Sequence, residues 1–376
     1  MLNTENLDMD KNREIYPDPM QEPKQTDEKR VRTPRGLTRR KNFRPIILCF
    51  AFCLFALTNL SANLEGEISL GLGYSDNVFQ LSDYDFQRFD DEHPNLDYVD
   101  TTDDLTMSMR IDLAYPLHYR WWKFTPSVTG TISQNISNTD KQRQDAILRF
   151  RIDRHYWSFT SLYGYYPYIY YRHFNDSDGS DELEKYAYER NLYRTELVLR
   201  PHKNVTAFGN IRYEELYYNK YFTEADGDIL TTELGARYSF PSFSLQGSYS
   251  YKDYQAEGWK DLQANDGSYQ SNVFRGVLRL KAMPINGEST RKNSWQPYLE
   301  LSREDRFYQA NDSWYGGREY NSTNTKAGVN VKLSPKWNLS LDYLHIFRNV
   351  DSPNGSVLRL KEFSENRLSA TVKYKF

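Results

Sequence analysis

Beyond residue 62 the sequence has no cysteine; the only two, Cys49 and Cys53, share the apolar run 46–57. The rest of the chain can therefore use neither disulfides nor thiol chemistry. Nowhere does an apolar run reach the roughly 18 residues that a membrane-spanning helix needs, and the mean hydropathy is −0.80. Such a chain is either soluble or crosses a bilayer as strands, which need only alternate residues apolar. An excess of positive charge is missing as well. The first 62 residues hold 11 of the 48 Lys and Arg and 8 of the 51 Asp and Glu, leaving 37 basic against 43 acidic residues and a net charge of −6. That balance argues against nucleic acid as a partner.

What the chain has in quantity is aromatic residues, 15% of the total with 31 Tyr. Amphipathic rings collect where hydrocarbon meets polar headgroups. In the last stretch, Leu368, Ala370, Val372, Tyr374 and Phe376 alternate with Ser369, Thr371, Lys373 and Lys375. A period of two puts one side of a strand against grease and the other against water. Fourteen segments of this kind follow Gly66, near 66–80, 104–116, 120–134, 144–154, 157–172, 187–200, 204–218, 228–240, 242–255, 270–283, 294–307, 322–333, 336–349 and 365–376, and helical periodicity is weak throughout. Short connections at 116–119, 153–156, 201–204, 240–242 and 334–335 take turns with long polar ones near 81–103, 135–143, 173–186, 219–227, 256–269, 308–321 and 350–364. The pattern predicts an all-β fold: a transmembrane antiparallel up-and-down barrel of about 14 strands, with 12 or 16 as the adjacent even counts. A soluble sandwich would also show many short strands, but it does not sort its connections in this way.

Residues 1–38 are polar and proline-rich in the middle, the composition of a disordered lead. Residues 39–62 have the three parts of a secretory signal: the basic Arg39, Arg40, Lys41 and Arg44, the apolar run, and the small-residue exit Ser61-Ala62. The expected barrel domain is 63–376. An uncleaved anchor helix is the competing reading of 46–57, although twelve apolar residues are short for a span.

The closing strand ending in Phe376 resembles that of bacterial outer-membrane β-barrels, whose carboxy-terminal aromatic is read by the barrel assembly machinery. This resemblance implies an outer-membrane location, lipid and lipopolysaccharide as surroundings, long loops outside, both mature termini in the periplasm, and Tyr374 and Phe376 as the assembly signal. Near the first strand, Gly71-Leu-Gly-Tyr-Ser-Asp-Asn-Val-Phe79 looks like the opening G-x-G-Y-[DS]-[DS]-N-V pattern of porin-like outer-membrane barrels, some of which accompany exopolysaccharide or surface-protein export. Position 75 is Ser where Asp is frequent in that pattern.

Strand parity assigns the wall. It turns Met107, Met109 and Ile111 outward and a charged set inward. The basic members are Arg110, Arg149, Arg151, Arg194, Arg200, Arg212, Arg237, Lys252, Arg275, Arg279, Lys281, Lys326, Lys332, Arg367, Lys373 and Lys375. Against these sixteen stand eight acids, Asp112, Asp153, Glu196, Glu214, Glu233, Glu300, Glu304 and Asp342. A basic lumen favours anionic solutes by focusing the field inside a low-dielectric wall. Alternatively the charges pair across strands and stiffen a closed barrel. Nine acids between Asp83 and Asp104 read as a solvated loop, with cation bridging to a surface polysaccharide as the sharper alternative. Asp176, Asp178 and Asp181 are weak calcium candidates, since the spacing misses the EF-hand pattern. None of the six histidines has the spacing of a catalytic pair at the outer rim, so no enzyme and no cofactor are expected. Three functions stay open: a porin-like channel for small hydrophilic, preferably anionic solutes; a conduit for polysaccharide or surface-protein export; and a non-conducting binding or structural barrel. A homo-oligomer is compatible with each.

Overall fold

A computed structural model describes residues 64–175, 182–260, 266–285 and 293–376. The expected lead 1–38, the signal 39–62 and the calcium candidates Asp176, Asp178 and Asp181 lie outside the described residues. Fourteen long strands form one antiparallel sheet. They are β1 (Glu65–Ser75), β2 (Asp104–Ala114), β3 (Trp122–Asn135), β4 (Arg143–Arg154), β5 (Trp157–Asn175), β6 (Leu183–His202) and β7 (Val205–Tyr218). The second half comprises β8 (Gly227–Ser239), β9 (Phe243–Ala256), β10 (Tyr269–Leu280), β11 (Ser294–Tyr308), β12 (Glu319–Lys332), β13 (Trp337–Asp351) and β14 (Phe363–Lys375). Two short ladder pieces, Leu117–Tyr119 and Met283–Pro284, extend turns at one rim.

Each strand pairs with the next in sequence, and β1 pairs with both β2 and β14, so the sheet closes and has no free edge. At the seam Leu70 lies opposite Met109 on one side and Val372 on the other. Beyond the last strand residue, Phe376 N–H donates to Gly66 O at 2.9 Å and Gly66 N–H returns a bond to Phe376 O at 3.2 Å. Tyr374 packs against Trp337 at 4.7 Å between ring centres and against Phe376 at 6.3 Å. The terminal aromatics thus sit on the seam that closes the ring.

The period of two has the consequence expected of it. Leu70, Leu72, Met107, Met109, Ile111, Ile132 and Leu234 point away from the barrel and stay exposed, Leu234 at 72%. A contiguous apolar outer band of this kind is stable against hydrocarbon rather than water. Trp121 and Tyr156 stand out at the short-turn rim, 83% and 66% exposed. Amphipathic rings are favoured at that depth of a bilayer.

At the opposite rim the connections are not merely solvated. The expectation of a solvated loop at 81–103 is corrected here by the helix α1 (Asp83–Asp90), which Ser82 caps by accepting Asp85 N–H at 3.1 Å. A second helix, α2 (Gly355–Lys361), is capped by Asn354, whose side chain accepts Ser356 N–H at 3.0 Å. Each has two turns, too short for a readable period. What holds them is tertiary burial. Phe79, Leu81, Leu96 and Val99 bury against Tyr170 and Ala187 of β5 and β6. Val357 of α2 is fully buried against Tyr320 and Val350, with Trp314 alongside. The loops therefore fold over the inner face of the strands.

Candidate functional site

The inward parity is carried from strand to strand by the register, with shifts at Gln144/Ala146, Tyr166/Ile169, Tyr170/Arg172 and Leu199/His202. Ser69 faces Arg110 and Lys373; Arg212 faces Thr231 and Arg194; Lys326 faces Glu300 and Leu344. This is the face on which α1 and α2 pack.

Acids on this face are spent on neighbours. Arg110 holds Asp112 and Arg151 holds Asp153, each at 2.7 Å, while Arg275 grips Glu300 with two bonds of 2.8 Å. Glu304 serves both Lys252 (3.2 Å) and Arg306 (3.1 Å); Glu214 serves Arg190 (3.2 Å) and Arg212 (2.9 Å). Arg194 pairs with Glu196, Lys326 with Asp342 at 3.6 Å, and Arg367 with Glu365. Glu67 lies 3.7 and 3.8 Å from Lys373 and Lys375. Asn210 donates to Glu233 at 2.6 Å. Lys281 follows β10, its N–H donating to Ser242 O, and Lys332 ends β12.

Pairing does not consume every cation. Among the described residues no carboxylate lies within 4.0 Å of Arg149, Arg200, Arg237 or Arg279; Arg200 donates to Ser158 Oγ at 3.2 Å. None of their ladder partners carries a charge: Ser127 and Leu162 for Arg149, Thr206 and Gln246 for Arg237, Ser244 and Tyr298 for Arg279. These four arginines therefore lack a direct ion pair among the described residues.

The first-strand motif turns the chain into the mouth. Ser75 Oγ donates to Glu365 at 2.6 Å, and Asp76 accepts both the backbone and the side-chain N–H groups of Asn366 at 2.7 Å. Asn77, 1% exposed, donates to Leu81 O and Ser364 O and accepts Leu81 N–H at 2.7 Å. Gly71 faces inward, where an added Cβ would lie 2.4 Å from Ser108 Oγ. These residues therefore fix the path from β1 to α1 and lock it to the last strand.

From α1, Asp85 reaches the buried Arg172 of β5 at 2.7 Å, and Arg88 stands 3.9 Å from the same carboxyl. Lys141, in the connection after β3, sits over the Phe79 ring at 4.4 Å. Burial, reinforced by the Arg172 charge, pulls its ammonium down to about 7. Across the mouth, Arg359 of α2 lies over Tyr84 of α1 at 4.7 Å. Lys361 lies over Phe174 at 4.8 Å and Trp314 at 5.6 Å. Sequence reasoning missed Arg172, Arg318, Arg348 and Lys361. The first and third were hidden because the aromatic-rich strand ends blurred the alternation, and the other two because they sit in connections.

Compared with protein-family models the sequence matches none, and no curated protein matches it. Three solved structures are similar in shape. An anion-selective porin from Comamonas acidovorans has a TM-score of 0.40 and 10% identity over 83% of this chain and 98% of its own. A bacterial polysaccharide outer membrane secretin has a TM-score of 0.44 and 9% identity over 82% of this chain and 98% of its own. The outer membrane channel DcaP of Acinetobacter baumannii has a TM-score of 0.41 and 10% identity over 84% and 96%. The barrel's architecture rests on its own strand pairing, not on these likenesses.

Proposed function

We propose that the protein is a porin-like channel of the bacterial outer membrane that passes small hydrophilic solutes and favours anions. One observation carries the reading: inside an apolar-walled closed barrel, most inward acids are held in short ion pairs while Arg149, Arg200, Arg237 and Arg279 have no carboxylate within 4.0 Å among the described residues. A low-dielectric wall concentrates their field along the axis, which lowers the cost of bringing an anion inside and raises it for a cation. In this reading the long connections face outward, the short turns and both mature termini face the periplasm, and Tyr374 and Phe376 address the assembly machinery.

Planar-bilayer recording under a KCl gradient tests it. Discrete conductance steps with a reversal potential toward chloride are expected, and Arg149, Arg237 and Arg279 changed together to Gln should move that potential toward zero. An absence of conductance, or a preference for potassium, would overturn the proposal.

A second reading, a barrel shut at the mouth that binds rather than conducts, is favoured by the packing of Phe79, Leu81 and Val357 under the loops. Liposome swelling separates the two: solute flux supports the channel, and no flux from a folded barrel supports the closed form.

A further inference from the structure

Around Arg318, just before β12, the mouth holds cations that have no ion pair among the described residues. Arg318 is 4% exposed, and its Nε and Nη1 are buried with no hydrogen-bond partner among the described residues. Its guanidinium instead lies 4.4 Å from the centre of the Tyr320 ring, 4.7 Å from Tyr308, 5.0 Å from Tyr315 and 5.8 Å from Trp314. Arg348 of β13 shares Tyr320 at 4.9 Å, lies over Phe363 at 4.7 Å and, among the described residues, donates to Ser322 Oγ alone, at 3.3 Å. Lys361 of α2 shares Trp314 with Arg318. Of the nearby carboxylates, Asp85 is held by Arg172 and Glu304 by Lys252 and Arg306, while Asp312 accepts the backbone N–H groups of Trp314 and Tyr315.

Rings oriented this way soften a buried positive charge but do not replace an anion. A buried guanidinium normally binds carboxylate or phosphate through paired N–H groups. Two arginines and a lysine from three separate segments, with unpartnered donors on Arg318, form a cationic cluster suited to oxygen anions. We propose that Arg318, Arg348 and Lys361 form a binding site at the barrel mouth for a small solute carrying phosphate or several carboxylates. The proposal rests on the channel reading for the delivery of such a solute, and it names the class that the channel would collect. Burial and the charges of Arg172, Arg318 and Arg348 push the Lys361 ammonium well below its usual range, with Asp85 opposing. An anion seated among them would relieve that repulsion.

Inorganic pyrophosphate is the probe. The full chain, folded in detergent, is titrated calorimetrically at low salt, and the same compound is added to the open channel in a bilayer. Saturable binding is expected, weakened at least 10-fold in Arg318→Gln and in Arg348→Gln and less than 3-fold in Arg237→Gln, a cation outside the mouth. Retained heat-modifiable mobility on gels shows that each variant is folded. If Arg318→Gln does not fold, Arg348→Gln and Lys361→Gln carry the test. Absence of saturable binding, or equal weakening by all variants, overturns the site. Conductance without binding leaves the channel standing and removes the site; binding without conductance removes the channel and keeps the site.

Discussion

Replacing Asp85 by Asn removes the charge that faces Arg172 and keeps the side chain's shape. In the folded protein the two groups are 2.7 Å apart, with about 5% of each side chain exposed. Asparagine leaves the guanidinium buried without its counter-charge, with Tyr98 Oη at 3.5 Å and the Phe174 ring at 5.8 Å as its remaining contacts besides the amide, and Lys141 and Lys361 add like charge nearby. Stranding one member of a buried pair costs about 3–5 kcal/mol. The backbone ladder of the barrel is untouched, so the cost falls on docking of the loop 76–103. Arg172→Met should cost less, because Asp85 keeps Arg88 at 3.9 Å. The double variant should cost less than the sum of the two, since neither charge is then stranded. Trypsin cutting at Arg88 reads the open population of the loop when reclosing is fast. A loss of about 3 kcal/mol corresponds to cleavage about 100-fold faster, with the folded barrel band on a gel unchanged. Unchanged protection in Asp85→Asn, or faster cleavage in Arg172→Met than in Asp85→Asn, would refute the idea that this pair holds the loop down.

Gly227 opens β8 against Ala256, and an added Cβ would lie 2.1 Å from Gln255 O. Gly227→Ala must therefore push β8 and β9 apart locally, at a cost of about 1–3 kcal/mol, whereas Gly247→Ala meets nothing within 4 Å and should be near neutral. The temperature at which the folded gel band is lost should fall for the first and hold for the second. Lys141 has a folded value of about 7 against 10.5 when free, so between those limits the folded protein binds fewer protons than the unfolded one. Its penalty on docking is full below pH 7 and fades as pH rises toward 10.5. Lys141→Met should slow cleavage of the first long loop most at about pH 6 and least near pH 10, by an amount worth roughly 2–4 kcal/mol after the contact with Phe79 is discounted. A pH-independent difference would sink that account.

Tyr170, Tyr171 and Phe174 show where the limits of the sequence lay. On most strands one residue in two had to meet hydrocarbon and the next had to meet water or charge, so Met107, Met109 and Ile111 against Arg110 and Asp112 fixed both the strands and their faces. The alternation is a local constraint, carried by neighbours one and two positions apart, and it survives without knowledge of partners. Near the long-loop rim it breaks down. There β5 and β6 contain register shifts at Tyr166/Ile169 and Tyr170/Arg172, and apolar rings turn inward to receive the loops. Which cations would find an acid was equally illegible: Arg275 meets Glu300 from 25 positions away, while Arg318 meets four rings. Alternation along the chain determined a closed wall with an apolar outside. Only the fold decided how the mouth is filled and where positive charge stays unpaired, because both depend on which loop side chains come to lie over the inner ends of distant strands.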